Sequence, residues 1–428
     1  MNKKIPILVY GLLFTSLMTY ADNWTSWRGL QSDGVSYEKT SFPTTWDREK
    51  NVKWRAELPS PGNSSPVIWE DKVFITQAVD RTHERLVMCF NRNDGQLIWK
   101  KGVIYTADEP TWKRPRNPYC SGSPVTDGTY VYATFASAGV FCFDLDGNQI
   151  WKRDLGFQHH EFGNGVSPML YENLLILYHG PNESEKSVLY AMDKKTGDTV
   201  WKVDDPNFKA GKDREDNFRG NANGSVASFS TPAIIQVNGR DELVTAYPKW
   251  IVGLGPSSGK EYWRSGGINP LVYCSPVFFE GNVIMLGGYG GPALAVKCGG
   301  SGNVTDSHML WRSKAKSDRL STGVIKGNYH YSCDRSGLAT CLDLKTGKRI
   351  WRERARGKGK DTAFWGSSVL AGDLIYTVNK SGDGIIFKAS PEFELVSANP
   401  LGEPSNSTPA LSNGQIFIRT HEALWCIE

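Results

Sequence analysis

The sequence predicts an all-β protein, an eight-bladed β-propeller of four-stranded antiparallel blades, closed by an N-terminal strand that completes the C-terminal blade. Three observations carry this expectation. Segments ending in Trp99, Trp151, Trp201, Trp263, Trp311 and Trp351 recur every 40 to 62 residues, a period that belongs to propeller blades. A Ser/Thr-Pro dipeptide, or a hydroxyl residue in the same slot, opens an apolar strand eight times. The 428-residue chain also carries 44 Gly, 18 Phe, 17 Tyr and 15 Trp, a mixture that favours short strands and tight turns over helices.

The N-terminus has the layout of an export signal. Two lysines in Met1–Lys4 precede the apolar stretch Ile5–Met18, and Thr19-Tyr20-Ala21 places small residues for a cut after Ala21. The stretch is short for a stable membrane span, and no later one approaches the ~18 apolar residues that a span needs. No Cys lies near the cut, so no lipid attachment of the bacterial type is expected. The expected organisation is a signal peptide at 1–21, a leader at 22–50 that packs on the ring, and the propeller at 51–428. The mature chain is expected to be periplasmic or secreted, bacterial, without a membrane span, and monomeric. Its net charge of +4 is too small to mark a nucleic-acid partner.

Each blade is then read in order. The openings are Ser65-Pro66, Ser123-Pro124, Ser167-Pro168, Thr231-Pro232, Ser275-Pro276 and Thr408-Pro409, with Ser321-Thr322-Gly323 and Ser367-Ser368 in the two remaining slots. Proline at a strand's first residue costs no ladder hydrogen bond. A short turn follows each opening, from Glu70-Asp71 to Asn413-Gly414, and in most of them Gly or Asn supplies a positive φ. A second strand comes next, then a third that ends at an Asp/Thr-Gly turn, then a fourth that carries the Trp. The eighth opening yields only three strands before Glu428. A lone Trp strand, Asn51–Leu58 with Trp54, is expected to supply the fourth and remove the open edges. The blade containing Pro391–Asn399 lacks the Trp.

The recurrent Trp54, Trp99, Trp151, Trp201, Trp263, Trp311 and Trp351 are expected to be structural, docking one blade on the next. One large ring per blade at fixed phase is the pattern of a core wedge. Asp144, Asp193 and Asp343 stand just before tight turns and are expected to cap them. Cys89, Cys142, Cys341 and Cys426 share one phase of the repeat, too far apart for bridges, so the 8 cysteines are expected to stay free.

Ala191-x-Asp193-x-x-Thr196-Gly197-x-x-x-Trp201 matches the tryptophan-docking motif of the PQQ-type (pyrroloquinoline quinone) propeller repeat, and Cys341–Trp351 matches with Cys in place of Ala. Trp27-Arg-Gly-x-x-x-Asp33-Gly-Val-Ser36, followed by Trp46 and Trp54, resembles the leader of exported PQQ-like repeat proteins. The likeness spans nearly all of Asp22–Glu428, and the chain is similar to the BamB-like propeller subunit of outer-membrane barrel assembly. The resemblance implies an eight-bladed ring with structural docking tryptophans. It also reaches the quinoprotein alcohol dehydrogenases, whose sites use a calcium-bound quinone, a catalytic Asp, a Trp floor and two adjacent bridged cysteines. This sequence has no adjacent Cys pair.

Generic catalytic motifs are absent: there is no G-x-S-x-G, no H-E-x-x-H and no Walker-A loop. Gly288-Tyr-Gly290-Gly-Pro-Ala293 fits a dinucleotide fingerprint only on paper, since it joins two strands of one blade. No catalytic residue and no metal site is assigned. His159-His160-Glu161 is the densest polar group. In a meander, the fourth-to-first and second-to-third connections share one face. The long ones are Gly102–Ser121, Gly156–Asn164, Asp204–Phe229, Arg264–Tyr273 and Arg352–Trp365. They carry the candidate binding residues Arg114, Arg116, His159, His160, Arg219, Asn221, Tyr273 and Trp365. Arg, Tyr and Trp are typical interface anchors. The expected function is therefore a non-catalytic platform that binds a periplasmic protein or polar ligand, with no cofactor. The alternative is a quinoprotein-type dehydrogenase using a quinone (PQQ with calcium) or a metal in the central channel.

Overall fold

The structure is a computed structural model, and it describes residues 23–107, 118–158, 163, 165–180, 187–205, 227–288, 290–313 and 320–428. Eight antiparallel sheets of four meandering strands follow one another around a ring. Blade 1 consists of Val67–Trp69, Lys72–Val79, Glu84–Asn91 and Leu97–Ile104. Blades 2 to 7 repeat the pattern, from Val125–Thr126 to the outer strand Leu395–Pro400. Blade 8 takes three strands from the C-terminus, and Val52–Glu57 completes it by pairing with Ala423–Ile427, Trp54 opposite Cys426. The ring is thus fastened by both ends of the chain, which leaves no blade with a missing strand.

Two kinds of contact repeat from blade to blade. The first is a circle of hydrogen bonds at the blade openings. The Ser65 N–H donates to Ser123 Oγ, Ser123 N–H to Ser167 Oγ, and Ser167 N–H to Thr231 Oγ1, at 2.8, 3.0 and 3.2 Å. Thr231 donates to Ser275, Ser275 to Thr322, Thr322 to Ser367 and Ser367 to Thr408, all at 2.8–2.9 Å. All eight side chains are buried. Each opening residue therefore contributes one main-chain donor and one hydroxyl acceptor, and neither group is left without a partner.

The second is the tryptophan wedge. Trp99 lies between Phe74 of its own blade and Phe143 of the next, with ring centroids 5.9 and 6.1 Å away. Its indole N–H donates to Leu145 O in the next blade's turn at 3.0 Å. Trp54, Trp151, Trp201, Trp311 and Trp351 make the same bond to Arg92, Lys194, Pro256, Leu344 and Ser390. Burying such a ring is worth about 4–6 kcal/mol before entropy is counted.

Trp263 departs from the pattern. The insertion Cys298–Ser307 replaces the tight turn that would receive it. Part of that insertion, Gly302–Asn303, adds a parallel fifth strand to the rim of blade 4. The Trp263 indole N–H donates instead to Glu242 Oε2 of its own blade at 2.7 Å. Arg240 and the Gly299 N–H also hold that buried carboxylate. Blade 7, which has no Trp, borrows one from the leader. Trp46 is buried in one core cluster with Tyr376 and Ile386 of blade 7 and Phe417 of blade 8.

Every outer strand carries a β-bulge at the residue before the docking position, as the register shifts at Trp99, Trp151, Trp201 and Trp351 show. The bulge lets the Trp point inward while its predecessor points out, so Ile98 is 47% exposed and Val200 54%. A bulged, twisted edge is a poor template for pairing with another chain. Asp193 and Asp343 accept main-chain N–H bonds within their own turns, at 2.8 Å from Lys195 and Thr346. Bonds from the Thr346 side chain and main chain hold the Asp343 carboxyl below its ordinary range. All eight cysteines are buried and none forms a disulfide, and burial pushes the thiols of Cys89, Cys142, Cys341 and Cys426 up to about 12.

Candidate functional site

The leader crosses the channel on the side of the short turns. Trp24 pairs with Ile68 of blade 1, Gly34 O accepts from Leu370 of blade 7, and Val35–Ser36 lies parallel to Val369–Ala371. Between these anchors Trp27 and Arg28 project among the blade openings. The Trp27 indole donates to Thr408 Oγ1 at 3.0 Å, and the Arg28 guanidinium donates to Thr322 O and Gly323 O at 3.3 and 2.7 Å. Arg28 is buried, and desolvation pulls it down to about 10. The space left between this pair and the openings of blades 3 to 5 is about 10 Å³, roughly one water.

The opposite face carries the fourth-to-first and second-to-third connections. Arg114, Arg116, His159, His160, Arg219 and Asn221 lie outside the described residues. Tyr273 and Trp365 are described, and they stand in different sectors. Tyr273 stacks on Phe229 between blades 4 and 5, with centroids 5.4 Å apart and planes at 15°. The parallel pair Ala227–Ser228 with Leu271–Val272 sets that stack. Trp365 lies in the connection that enters blade 7, and the Lys380 ammonium of that blade sits 5.6 Å from its ring centroid.

Around Lys380 the face opens into a basin of about 540 Å³ between blades 7 and 8. That volume falls within the usual range for small-ligand and peptide pockets, ~300–1,000 Å³. Its rim is Lys360, Asp361 and Lys380, and its inner wall is Pro404, Asn406 and His421. Asp361 Oδ2 lies 2.6 Å from Lys380 Nζ, and the Asp361 N–H donates to Ser381 Oγ at 2.9 Å. The His421 N–H donates to Pro404 O at 2.7 Å, which fixes the ring's place on the wall. Asn406 Nδ2 faces Asn63 Oδ1 at 3.2 Å and His421 Nε2 at 3.3 Å. Its Oδ1 is buried without a partner. Burial, then the neighbouring charges of Arg419 and Lys380, lower His421 to about 4, so the ring is neutral at pH 7.

Beneath His421 lies Arg419, fully buried in the second strand of blade 8. Its guanidinium donates to Ser64 Oγ, to Thr76 O at 2.6 Å and to Gln77 Oε1 at 2.7 Å, all neutral acceptors. It forms no ion pair among the described residues. Desolvation lowers its pKa, and a Cβ at Gly62 would overlap the guanidinium. Its charge acts on His421, the neighbouring residue of the basin wall. No group of three His, Cys, Asp or Glu suited to a metal occurs among the described residues, and no described helix is long and apolar enough to cross a membrane.

Of the basin, the sequence singled out only Trp365 and the connection that leads to it. Lys380 and His421 sit in second-to-third turns too short to stand out, and Asn406 lies in the connection from the fourth strand of blade 7 to the first of blade 8. Their one signal is topological: both kinds of connection emerge on the same face as the long loops.

Comparisons with known proteins agree with this architecture. A curated relative, the outer membrane protein assembly factor BamB of Yersinia pestis, is 23% identical over 317 residues, 69% of this chain and 70% of the relative. The crystal structure of BamB from Moraxella catarrhalis superposes with a TM-score of 0.60 at 12% identity, covering 88% of this chain and 97% of that one. Quinohemoprotein alcohol dehydrogenase from Comamonas testosteroni superposes at 0.65 with 10% identity, covering 95% of this chain and 80% of its own. A europium-containing methanol dehydrogenase reaches 0.67 at 9% identity, covering 94% and 90%. At these identities the structures share the fold alone. The family model described as outer membrane protein assembly factor BamB matches residues 82–266 and 301–423, most of the propeller, and the chain belongs to that family.

Proposed function

We propose that the protein is an exported, non-catalytic docking platform in the periplasm, and that its long-loop face receives a protein partner in outer membrane protein assembly. The observation that carries this reading is the contrast between the two faces of the ring. The short-turn face is crossed by the leader, whose Trp27 and Arg28 fill the channel, and the long-loop face carries a charged basin between blades 7 and 8. Rigid loops lose little freedom on docking, which favours binding at modest contact area. The printed names of the relatives add the setting. Residues 1–21 act, in this reading, as the export signal.

No quinone or calcium belongs to this proposal. A calcium-bound quinone calls for carboxylate oxygens around the metal. The channel offers neutral hydroxyls, main-chain groups and the Arg28 cation, a donor set that does not suit it. Of the buried acids among the described residues, Glu242 and Glu403 are each engaged by an indole and an arginine, Asp334 by Arg352, Asp383 by Asn379 and the Gly359 N–H, and Asp205 by the Tyr178 hydroxyl.

The test places a photo-crosslinking side chain at Lys360 on the long-loop face and at Lys345 on the short-turn face, in cells that export the protein. A single protein adduct from Lys360 and none from Lys345 is the expected result. Equal labelling from both faces overturns the assignment of the face. In parallel, purified protein is incubated with pyrroloquinoline quinone and calcium and assayed for dye reduction with alcohols and sugars. Saturable turnover lost on chelation overturns the platform reading in favour of a dehydrogenase.

A further inference from the structure

We infer that the outer rim of blade 6 docks on an anionic phospholipid surface. This rests on the export in the proposed reading, and not on what the long-loop face receives.

The first observation is a concentration of charge. Blade 6 consists of Val324–Lys326, Tyr329–Cys333, Leu338–Asp343 and the outer strand Arg349–Arg354. From Lys345 to Lys358, six residues before Trp351 to seven after it, stand seven cations and one acid, Glu353, a net of +6. The whole chain carries +4. The same window around Trp54, Trp99, Trp151, Trp201, Trp263 and Trp311 carries between −1 and +2. Trp99, Trp151, Trp201 and Trp311 also lie on edge strands, so protection of an open edge does not account for an excess found at blade 6 alone.

The second observation is that this charge faces water. All seven cations are exposed. Among the described residues, Arg352 alone of the seven is in an ion pair, with the buried Asp334 at 2.7 Å. Past the strand, the Gly359 N–H donates to the buried Asp383 at 2.8 Å, and a Cβ at Gly357 or Gly359 would overlap Asp383 or Ser381. The two glycines therefore lie against blade 7, and Arg356 and Lys358 project to solvent. Neighbouring acids reduce the charge without cancelling it. Asp343 precedes the window, and the blade 7 turn that receives Trp351 adds Lys388, Glu392 and Glu394. That sets eight surface cations against four surface acids, +4, and the buried Asp334 and Asp383 lower it to +2. In the adjoining basin Lys360, Asp361 and Lys380 restore one positive charge, and the leader turn at 47–50 beside Lys358 is neutral in itself.

The third observation is what the rim lacks. Trp351 is buried, and Ile350, 44% exposed, is the one large apolar side chain that the window exposes. A protein interface is built on a desolvated core of apolar and aromatic anchors, and a single nucleic-acid strand is held by rings that stack on its bases. A bilayer of anionic headgroups needs neither. Each Lys or Arg near such a surface strengthens binding about fivefold, and the attraction fades within a Debye length. Export brings headgroups within reach of an outer rim while both faces of the ring stay open.

The test sediments the full mature chain with vesicles of phosphatidylglycerol and phosphatidylethanolamine, or of phosphatidylcholine alone. The expected result is binding to the anionic vesicles that weakens at least about tenfold between about 0.05 and 0.5 M salt, and none to phosphatidylcholine. K348Q/R349Q/R356Q is expected to weaken binding at least about tenfold. K100Q/K101Q/K202Q removes the same charge from the rims of blades 1 and 3 and is expected to stay within about twofold of the parent. All six side chains are exposed, and a thermal melt matching the parent shows that both variants fold. R356E, which lies outside the strand, reads the same loss if the triple variant melts early. Equal losses from the two triples overturn the assignment to blade 6. Equal binding to both kinds of vesicle, or to neither, overturns the inference. So does displacement by inorganic phosphate beyond that by chloride at equal ionic strength, which marks a free-phosphate site, and so does tighter binding of a DNA duplex than of vesicles. Labelling from Lys360 reads a protein partner and involves no vesicle, so failure here leaves the docking face standing.

Discussion

The Thr408 N–H donates to Ser65 Oγ at 2.9 Å, and this contact joins the last blade opening to the first. It is the eighth link of a circle in which every opening uses its hydroxyl as acceptor and its main-chain N–H as donor. Loss of one hydroxyl leaves a buried N–H with nothing to bind. S65A is expected to lower stability by about 1–3 kcal/mol in denaturant unfolding. S65T is expected to be close to neutral, because Thr fills the same role at Thr231, Thr322 and Thr408. An S65A midpoint equal to the parent's would show that water replaces the link.

The Ser/Thr-Pro repeat was plain in the sequence, but only half of its purpose could be read there. Proline explained why a strand starts. The hydroxyl's partner lies in the next blade, 58 residues away for Ser65 and Ser123, and no local rule reaches that far. The tryptophan period likewise announced a wedge in each blade, and the closing role of Asn51–Leu58 followed from the count of strands. Trp263 keeps the period but loses its docking turn to Cys298–Ser307, and its substitute partner, Glu242, carries no motif. The basin was hidden for a related reason. Loop length drew attention to Gly102–Ser121 and Asp204–Phe229, whereas Lys380 and His421 come from compact turns and Asn406 from a shorter blade-to-blade connection, which only the folded ring brings together.

The docking turns are sensitive to size at the glycine under each ring, as at Gly95, Gly147, Gly197, Gly259 and Gly347. Gly347 has φ +68°, and a Cβ there would overlap the Trp311 ring that packs on it. Gly327 has a similar positive φ of +56° with open space around it. Both alanine substitutions pay the left-handed backbone cost of about 1 kcal/mol, and only G347A also displaces a docking ring. G347A is therefore expected to be the more destabilising by at least about 1 kcal/mol in urea unfolding. Equal losses would mean that the Trp311 wedge is loose enough to move aside.

Three hairpins place Glu where Gly or Asn was expected in the left-handed region: Glu70, Glu172 and Glu280, with φ of 51°, 50° and 48°. At Glu280-Gly281 the turn has two residues, flanked by the pair Phe279 and Asn282. Asn tolerates this conformation better than Glu, and Asn-Gly is the preferred pair for such a turn. E280N is expected to raise stability by about 0.5–1 kcal/mol. A lower melting temperature for this variant would show that the Glu side chain makes a compensating contact.

Acid should destabilise the ring through two histidines held neutral by burial. His179 ends the second strand of blade 3, with Nε2 3.2 Å from Gly156 O and its ring edge-on to Tyr190. Desolvation lowers it from the ordinary 6.5 to about 4, against smaller opposing effects of the Gly156 carbonyl and Asp154. His421 is lowered to about 4 by burial, then by Arg419 and Lys380. Between pH 6.5 and 4 the unfolded chain binds protons on these rings and the folded chain does not. Stability therefore rises with pH across that window and levels off above it. The loss on acidification is up to about 3 kcal/mol for His179 and less for the more solvated His421. Urea unfolding at pH 7, 6, 5 and 4.5 measures the slope. H179Q removes one titrating group and should flatten the acid limb, whatever it does to stability at pH 7. A variant that keeps the parent's slope would assign the acid sensitivity to groups other than His179.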